Sequence, residues 1–192
     1  IFSSTMKKLK VPRLIILTIL SIFLSQTLYA KSNWSPAQGG NKIILIRHSL
    51  APGGGDPAGF KINDCETQRN LNQKGIEQSK NIGILFKINN IPIDQVLSSQ
   101  WCRCKDTAKY AFGSFKEFSA LNSTFQAPFD KNEISQIKEI KSLVKNWNGK
   151  GKNLILITHY SIITAITNAA PSSGELIITD KDFNVLATIP TD

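Results

Sequence analysis

Two continuous apolar runs organise this chain, IILI in NKIILIRH and LILI in KNLILITH, each bounded by polar residues and each closing on a histidine. A run of that length without polar alternation predicts a strand buried on both faces, as in a parallel sheet. Strands are expected over residues 42–47 and 154–158, with a third over Ile93 to Ser98. Between them the apolar spacing becomes helical. Ile76, Ile82, Leu85, Phe86 and Ile88 predict a helix from Asn72 to about Asn89, and Ile134, Ile137, Ile140, Leu143 and Val144 another from Glu133 to Trp147. Arg103 to Phe112 and Ser161 to Ala169 read as two more, and ELIITDKDFNVLATI as a terminal hairpin turned at Asp180-Lys181-Asp182. The segment APGGGDPAGF, with four glycines and two prolines, is a loop. Alternating strands and helices predict an α/β fold, a three-layer α/β/α sandwich with a mostly parallel central sheet.

The 192 residues carry no internal repeat or linker and suffice for one domain. Residues 1–30 stand apart from it. Met6 is followed by Lys7, Lys8, Lys10 and Arg13, then by LIILTILSIFLS, then by a polar stretch closing on Leu28-Tyr29-Ala30. That is the layout of a secretory signal peptide, with an apolar core short for a membrane span. Residues 1–5, ahead of the only methionine, read as upstream or added sequence. The expectation is an exported, periplasmic protein whose folded domain is residues 31–192. Leu28 is bulky for a cleavage site, so an uncleaved N-terminal anchor is the alternative. The full chain has a formal charge of +9; residues 1–30 hold four basic residues and no acid, so the remainder has 19 basic against 14 acidic residues, +5. This balance suits a small anionic substrate or proximity to an anionic membrane surface, and no dense basic run with interleaved aromatics points to nucleic acid.

The candidate chemistry lies at the strand ends. Arg47-His48 leaves the first strand, Arg103 follows the second within VLSSQWCRCKDTA, and Thr158-His159 leaves the third. Parallel neighbours point the same way, so two arginines and two histidines are expected to meet in one crevice. Guanidinium groups match phosphate oxygens in bidentate fashion, and a neutral imidazole is a nucleophile. Two rival readings fare worse. WCRC has one residue between its cysteines where a thiol oxidoreductase has two, and the three cysteines and two histidines follow no compact zinc spacing.

On these residues the chain resembles the histidine phosphatase superfamily, the phosphoglycerate mutase-like fold. The family opens with Arg-His after its first strand, continues with Leu-x-x-x-Gly into a helix and a Ser-Ser-x-x-x-Arg-x-x-x-Thr-Ala block, and ends with a second His. Here these are Arg47-His48, Leu71 to Gly75, Ser98-Ser99 with Arg103 and Thr107-Ala108, and His159. The resemblance implies a metal-independent phosphoric monoester hydrolase of the histidine acid phosphatase type, with no cofactor. His48 is then the nucleophile that forms a phosphohistidine, and Arg47, Arg103 and His159 bind the phosphoryl oxygens. Small bacterial phosphohistidine phosphatases of this superfamily have an Arg-x-Leu lead into the first helix similar to Arg69-Asn70-Leu71, and exported members act on lipopolysaccharide core phosphates. A phosphomonoester or phosphoramidate is the implied substrate, including a phosphorylated envelope glycan or lipid.

Three departures from the pattern matter. Ser49 stands where the family usually has glycine, and its hydroxyl is a candidate phosphate contact. The family's glutamate after the Thr-Ala block has no counterpart in SALNSTF, which offers Asn122 and Ser123, and Tyr160 stands where another branch places Asp. The candidate general acids are therefore Asp56, Asp64 and Glu66, all in the loop after His48. Cys65, Cys102 and Cys104 form an odd set, and in an oxidising compartment a Cys65–Cys104 bridge would tie that loop to the site, with Cys65–Cys102 as competitor. Without an evident acid, a catalytically degenerate phosphate- or phosphoglycan-binding domain is the non-enzymatic alternative.

Overall fold

A computed structural model describes residues 34–191; the expected signal segment, residues 1–30, lies outside them. The sheet has six strands: β1 (Ile43–Arg47), β2 (Ile93–Ser98), β3 (Lys116–Glu117), β4 (Asn153–Thr158), β5 (Leu176–Thr179) and β6 (Val185–Ile189), in the spatial order β3-β2-β4-β1-β5-β6. β3, β2, β4 and β1 run parallel, β5 is antiparallel to β1, and β6 returns antiparallel to β5. β1 and β4 take the centre because their side chains are apolar almost without a break, which suits strands covered on both faces.

The helices are α1 (Ser35–Gln38), α2 (Gln73–Ile88), α3 (Cys102–Phe112), α4 (Glu133–Asn146) and α5 (Tyr160–Thr167). Alternation within the strands divides the core. Ile44, Ile46, Ile155 and Ile157 pack with Ile82 and Phe86 of α2 and Cys104, Ala108 and Ala111 of α3. Ile43, Leu45, Leu154 and Leu156 face the other way, against Ile140 and Val144 of α4 and Ile162 and Ile163 of α5. This is the expected three-layer α/β/α sandwich with a mostly parallel sheet.

Local chemistry sets the helix ends. The Asn72 side chain accepts a hydrogen bond from the Gly75 amide at 2.9 Å, capping α2, and Gly113 at φ 79° closes α3. The C-terminal hairpin turns where expected, with Asp180 accepting from the Asp182 and Asn184 amides at 2.9 Å. The two-residue edge strand β3 and the one-turn helix α1 were not expected, since neither is long enough to carry a hydrophobic period. Among the described residues no helix is long and apolar enough to cross a membrane.

Candidate functional site

Strand register builds the site. Arg47 of β1 pairs with Thr158 of β4, so the next residue on each strand, His48 and His159, emerges from adjacent parallel strands at the same edge. The rings face each other with centroids 5.4 Å apart and planes inclined by 65°. β2 stops at Ser98 beside Ile157, and the chain passes through Ser99 and Trp101 to start α3, which places Arg103 in the first helical turn. Thr107 explains the Thr-Ala block. One turn after Arg103, its hydroxyl donates to the Arg103 carbonyl at 2.7 Å and accepts from the Ser49 amide at 3.0 Å, joining α3 to the segment after His48. Ala108, fully buried, lets the helix approach the sheet.

Both imidazoles are buried, and burial, reinforced by the Arg103 charge, holds each well below the usual histidine range. Nδ1 of His48 lies 2.9 Å from the Ser49 carbonyl oxygen, an acceptor only. Nδ1 therefore carries the proton and Nε2 the lone pair. His159 is oriented from behind. Ser99 Oγ donates to Asn122 Oδ1 at 3.1 Å, so it accepts from His159 Nε2 at 2.9 Å, which turns His159 Nδ1 toward Arg103 Nη2 at 3.4 Å. Asn122, where a carboxylic acid was sought, thus acts through Ser99 on His159.

The three candidate acids part company. Asp56 lines the cavity and forms a fork with Arg103, Oδ1 to Nη1 at 2.8 Å and Oδ2 to Nη2 at 3.1 Å. Burial alone would raise its pKa; the hydrogen bonds and charge of Arg103, the Arg69 amide and the Trp101 indole outweigh burial and hold the carboxyl below its ordinary value. Asp64 instead caps the short 3-10 turn Cys65–Thr67, accepting from the Glu66 amide at 3.2 Å, and Glu66 is exposed. Neither lines the cavity.

Two expectations are corrected. Ser49 does not face the cavity: it is fully buried, and its hydroxyl pairs with Ser79 Oγ of α2 at 2.8 Å. The disulfide joins Cys65 to Cys102, not to Cys104. Residues two apart on a helix point about 200° away from each other, so only one of the pair can face the loop. Cys104 turns into the core, 3.4 Å from His159 Nε2, and burial pushes its thiol up to about 12.

The cavity has a volume of about 130 Å³ and is lined by Arg47, His48, Asp56, Arg69, Arg103 and His159, with Phe125, Gln126, Tyr160 and Ser161 at its wall. At about 30 Å³ per water that is space for about four waters, the scale of a small anion. Nε of Arg47 and Nε of Arg103 are buried with no partner among the described residues. Arg47 Nη1 is fixed on the Pro171 carbonyl at 2.9 Å, and its guanidinium lies 5.5 Å from the Tyr160 ring centroid. Arg69 was not singled out as a site residue. It holds the glycine loop by donating to the Ala51 and Gly55 carbonyls, and its place just before α2 was the available sign. Trp101 was also missed. Its indole donates to Asp56 Oδ2 at 2.9 Å, and its ring packs on Phe60, Phe129 and His159. Among the described residues no three His, Cys, Asp or Glu side chains are grouped to hold a metal ion.

No protein-family model and no curated protein matches the chain. Solved structures do. SixA from Agrobacterium tumefaciens is 17% identical with a TM-score of 0.53, over 79% of this chain and 99% of that one. A protein histidine phosphatase SixA complexed with tungstate is 14% identical with a TM-score of 0.52, over 77% and 96%. Phosphoglycerate mutase from Thermus thermophilus is 15% identical with a TM-score of 0.52, over 79% and 99%. The resemblance drawn from the ordered Arg-His, Leu-x-x-x-Gly, Ser-Ser and second-His blocks thus holds for the fold, a phosphoglycerate mutase-like α/β/α sandwich.

Proposed function

We propose that this chain is an exported phosphatase that hydrolyses a phosphomonoester or phosphoramidate through a phosphohistidine on His48. The observation that carries this reading is the gathering of His48, His159, Arg47 and Arg103 around one small cavity. Neutral His48, with Nδ1 tied to the Ser49 carbonyl, presents the Nε2 lone pair a nucleophile needs. In the first step the Nε2–P bond forms as the bond from phosphorus to the leaving oxygen or nitrogen breaks. In the second, water attacks phosphorus and the N–P bond returns its electron pair to His48. Arg47 and Arg103 surround the oxygens on which charge develops, where fixed donors in a poorly hydrated site act most strongly, and His159, its N–H held by Ser99, packs beside them. The solved neighbours include a protein histidine phosphatase, which agrees with this chemistry.

Signal-like residues 1–30 and a surplus of lysine support an anionic envelope substrate, a phosphorylated glycan or lipid headgroup. A binding module without turnover is the second reading, favoured by the absence of a carboxylic acid at Asn122 and Ser123. One comparison separates them. Wild type is expected to hydrolyse p-nitrophenyl phosphate, whose leaving group needs little protonation, and His48→Ala to lose that turnover by at least about a thousandfold. Turnover that survives His48→Ala rejects the nucleophile, and phosphate binding without turnover in wild type favours the binding module.

A further inference from the structure

We propose that Asp56 is a substrate-displaced carboxylate: it holds the guanidinium fork of Arg103 until a phosphoryl group takes its place, and once released it supplies the proton to the leaving group. The inference rests on the phosphatase reading and assigns that reaction its acid.

Arg103 has four Nη hydrogens, and all four have partners within the protein: Nη1 meets Asp56 Oδ1 at 2.8 Å and the Arg69 carbonyl at 3.4 Å, and Nη2 meets Asp56 Oδ2 at 3.1 Å and His159 Nδ1 at 3.4 Å. Only Nε lacks a partner among the described residues. A phosphoryl group cannot engage the Nη1–Nη2 fork of this guanidinium while Asp56 stays. The carboxylate is equally saturated, since Oδ1 also accepts from the Arg69 amide at 3.1 Å and Oδ2 from the Trp101 indole at 2.9 Å. Both side chains of the pair are 3% exposed.

A carboxylate and a phosphoryl group present the same planar pair of acceptor oxygens to an arginine fork, so they compete for it. The phosphoryl group brings the larger charge and a third oxygen for Arg47. The exchange must release the bonds that hold the backbone ahead of Asp56, from Arg69 to the Ala51 and Gly55 carbonyls and from the Asp56 amide to Gln126. Gly53, Gly54 and Gly55 leave that backbone free to rearrange once those bonds let go. The far end of the loop is anchored on α3 by the Cys65–Cys102 disulfide, so a displaced Asp56 stays beside the cavity.

Displacement also changes what Asp56 can do. Paired with Arg103 it is an ionised acceptor. Beside a phosphoryl dianion, without its guanidinium partner, the ionised form is disfavoured and the carboxylate takes a proton from solvent. As Nε2 of His48 bonds to phosphorus, the leaving oxygen takes that proton with the electron pair of the breaking P–O bond. In the second step the regenerated carboxylate accepts the proton of the attacking water, which restores Asp56 and neutral His48.

Trp101 provides a probe that requires no substitution. Its indole N–H is bonded to Asp56, whereas that of Trp147 is bonded to Asp94 at 2.8 Å. In the ¹⁵N-labelled wild-type chain, inorganic phosphate is expected to shift the His48 and His159 ring signals and the Trp101 indole together while leaving Trp147 in place. Ring signals that move without the Trp101 indole overturn the displacement. A wild-type chain that gives no phosphate response at all removes the phosphatase reading and this inference with it. The acid role is read from Asp56→Asn, with folding checked by its thermal transition. Turnover of glycerol phosphate is expected to fall by about a hundredfold or more and that of p-nitrophenyl phosphate by less than about tenfold, with Asp56→Glu restoring part of the difference. Equal losses on both esters overturn the acid role, since a purely structural effect does not distinguish leaving groups.

Discussion

His48 and His159 make the folded protein sensitive to acid in a defined direction. Each is held neutral by burial and by Arg103, with a pKa well below the ordinary 6.5. Above about pH 6.5 the rings are neutral whether the chain is folded or not, and their titration leaves stability unchanged. Below it the unfolded chain takes up protons that the folded one refuses, so stability falls by up to about 1.4 kcal/mol per pH unit for each ring. Asp56, depressed in the folded state, adds a loss in the same direction once the pH drops below the ordinary carboxylate value of 3.8. Urea unfolding at fixed pH is expected to show a midpoint that is flat near neutrality and declines from about pH 6.5 downward. In the His159→Gln variant, which keeps a polar side chain at this position, the first decline is expected to be about half as steep, because one of the two rings is gone.

The contact between α2 and the segment after β1 carries a second expectation. A Cβ built on Gly75 would lie 2.1 Å from the Leu50 carbonyl oxygen, so glycine is what lets the helix reach the backbone two residues past His48. Gly75→Val is expected to lower stability by about 1–3 kcal/mol in denaturant titration and to reduce turnover by shifting that segment. This glycine also marks what can be read from sequence. The runs ending at His48 and His159, the helix over residues 73–88 and the terminal hairpin announce themselves, because each rests on a period or on a turn local in the chain. The cysteine pairing does not, because it depends on the rotational phase of α3, which starts at Cys102 rather than at Arg103. The facing of Ser49 was hidden for a related reason: its partner Ser79 is 30 residues away, on a helix whose phase has to be known first. The Asp56–Arg103 fork spans 47 residues, and only assembly of the sheet brings its two halves together.

Across the whole molecule, basic residues outnumber acidic ones even when residues 1–30 are set aside, +5 against +9 for the full chain. A positive molecule draws in anionic substrates over distances that salt cuts short. Raising ionic strength from about 0.02 M to about 0.5 M is expected to lower kcat/KM for a phosphate dianion through KM, with kcat nearly constant, as steady-state kinetics across a salt series would record. The position of β4 in the sheet has a further consequence. Although it is the fourth strand along the chain, it lies between β2 and β1, which touch only through it. Without β4, the β1 and β2 sides are joined only by contacts outside the sheet, such as the Cys65–Cys102 bridge and the Asp56–Arg103 fork. The strand that fills the gap, residues 153–158, also delivers His159, so the facing of the two imidazoles waits on a segment made late in the chain.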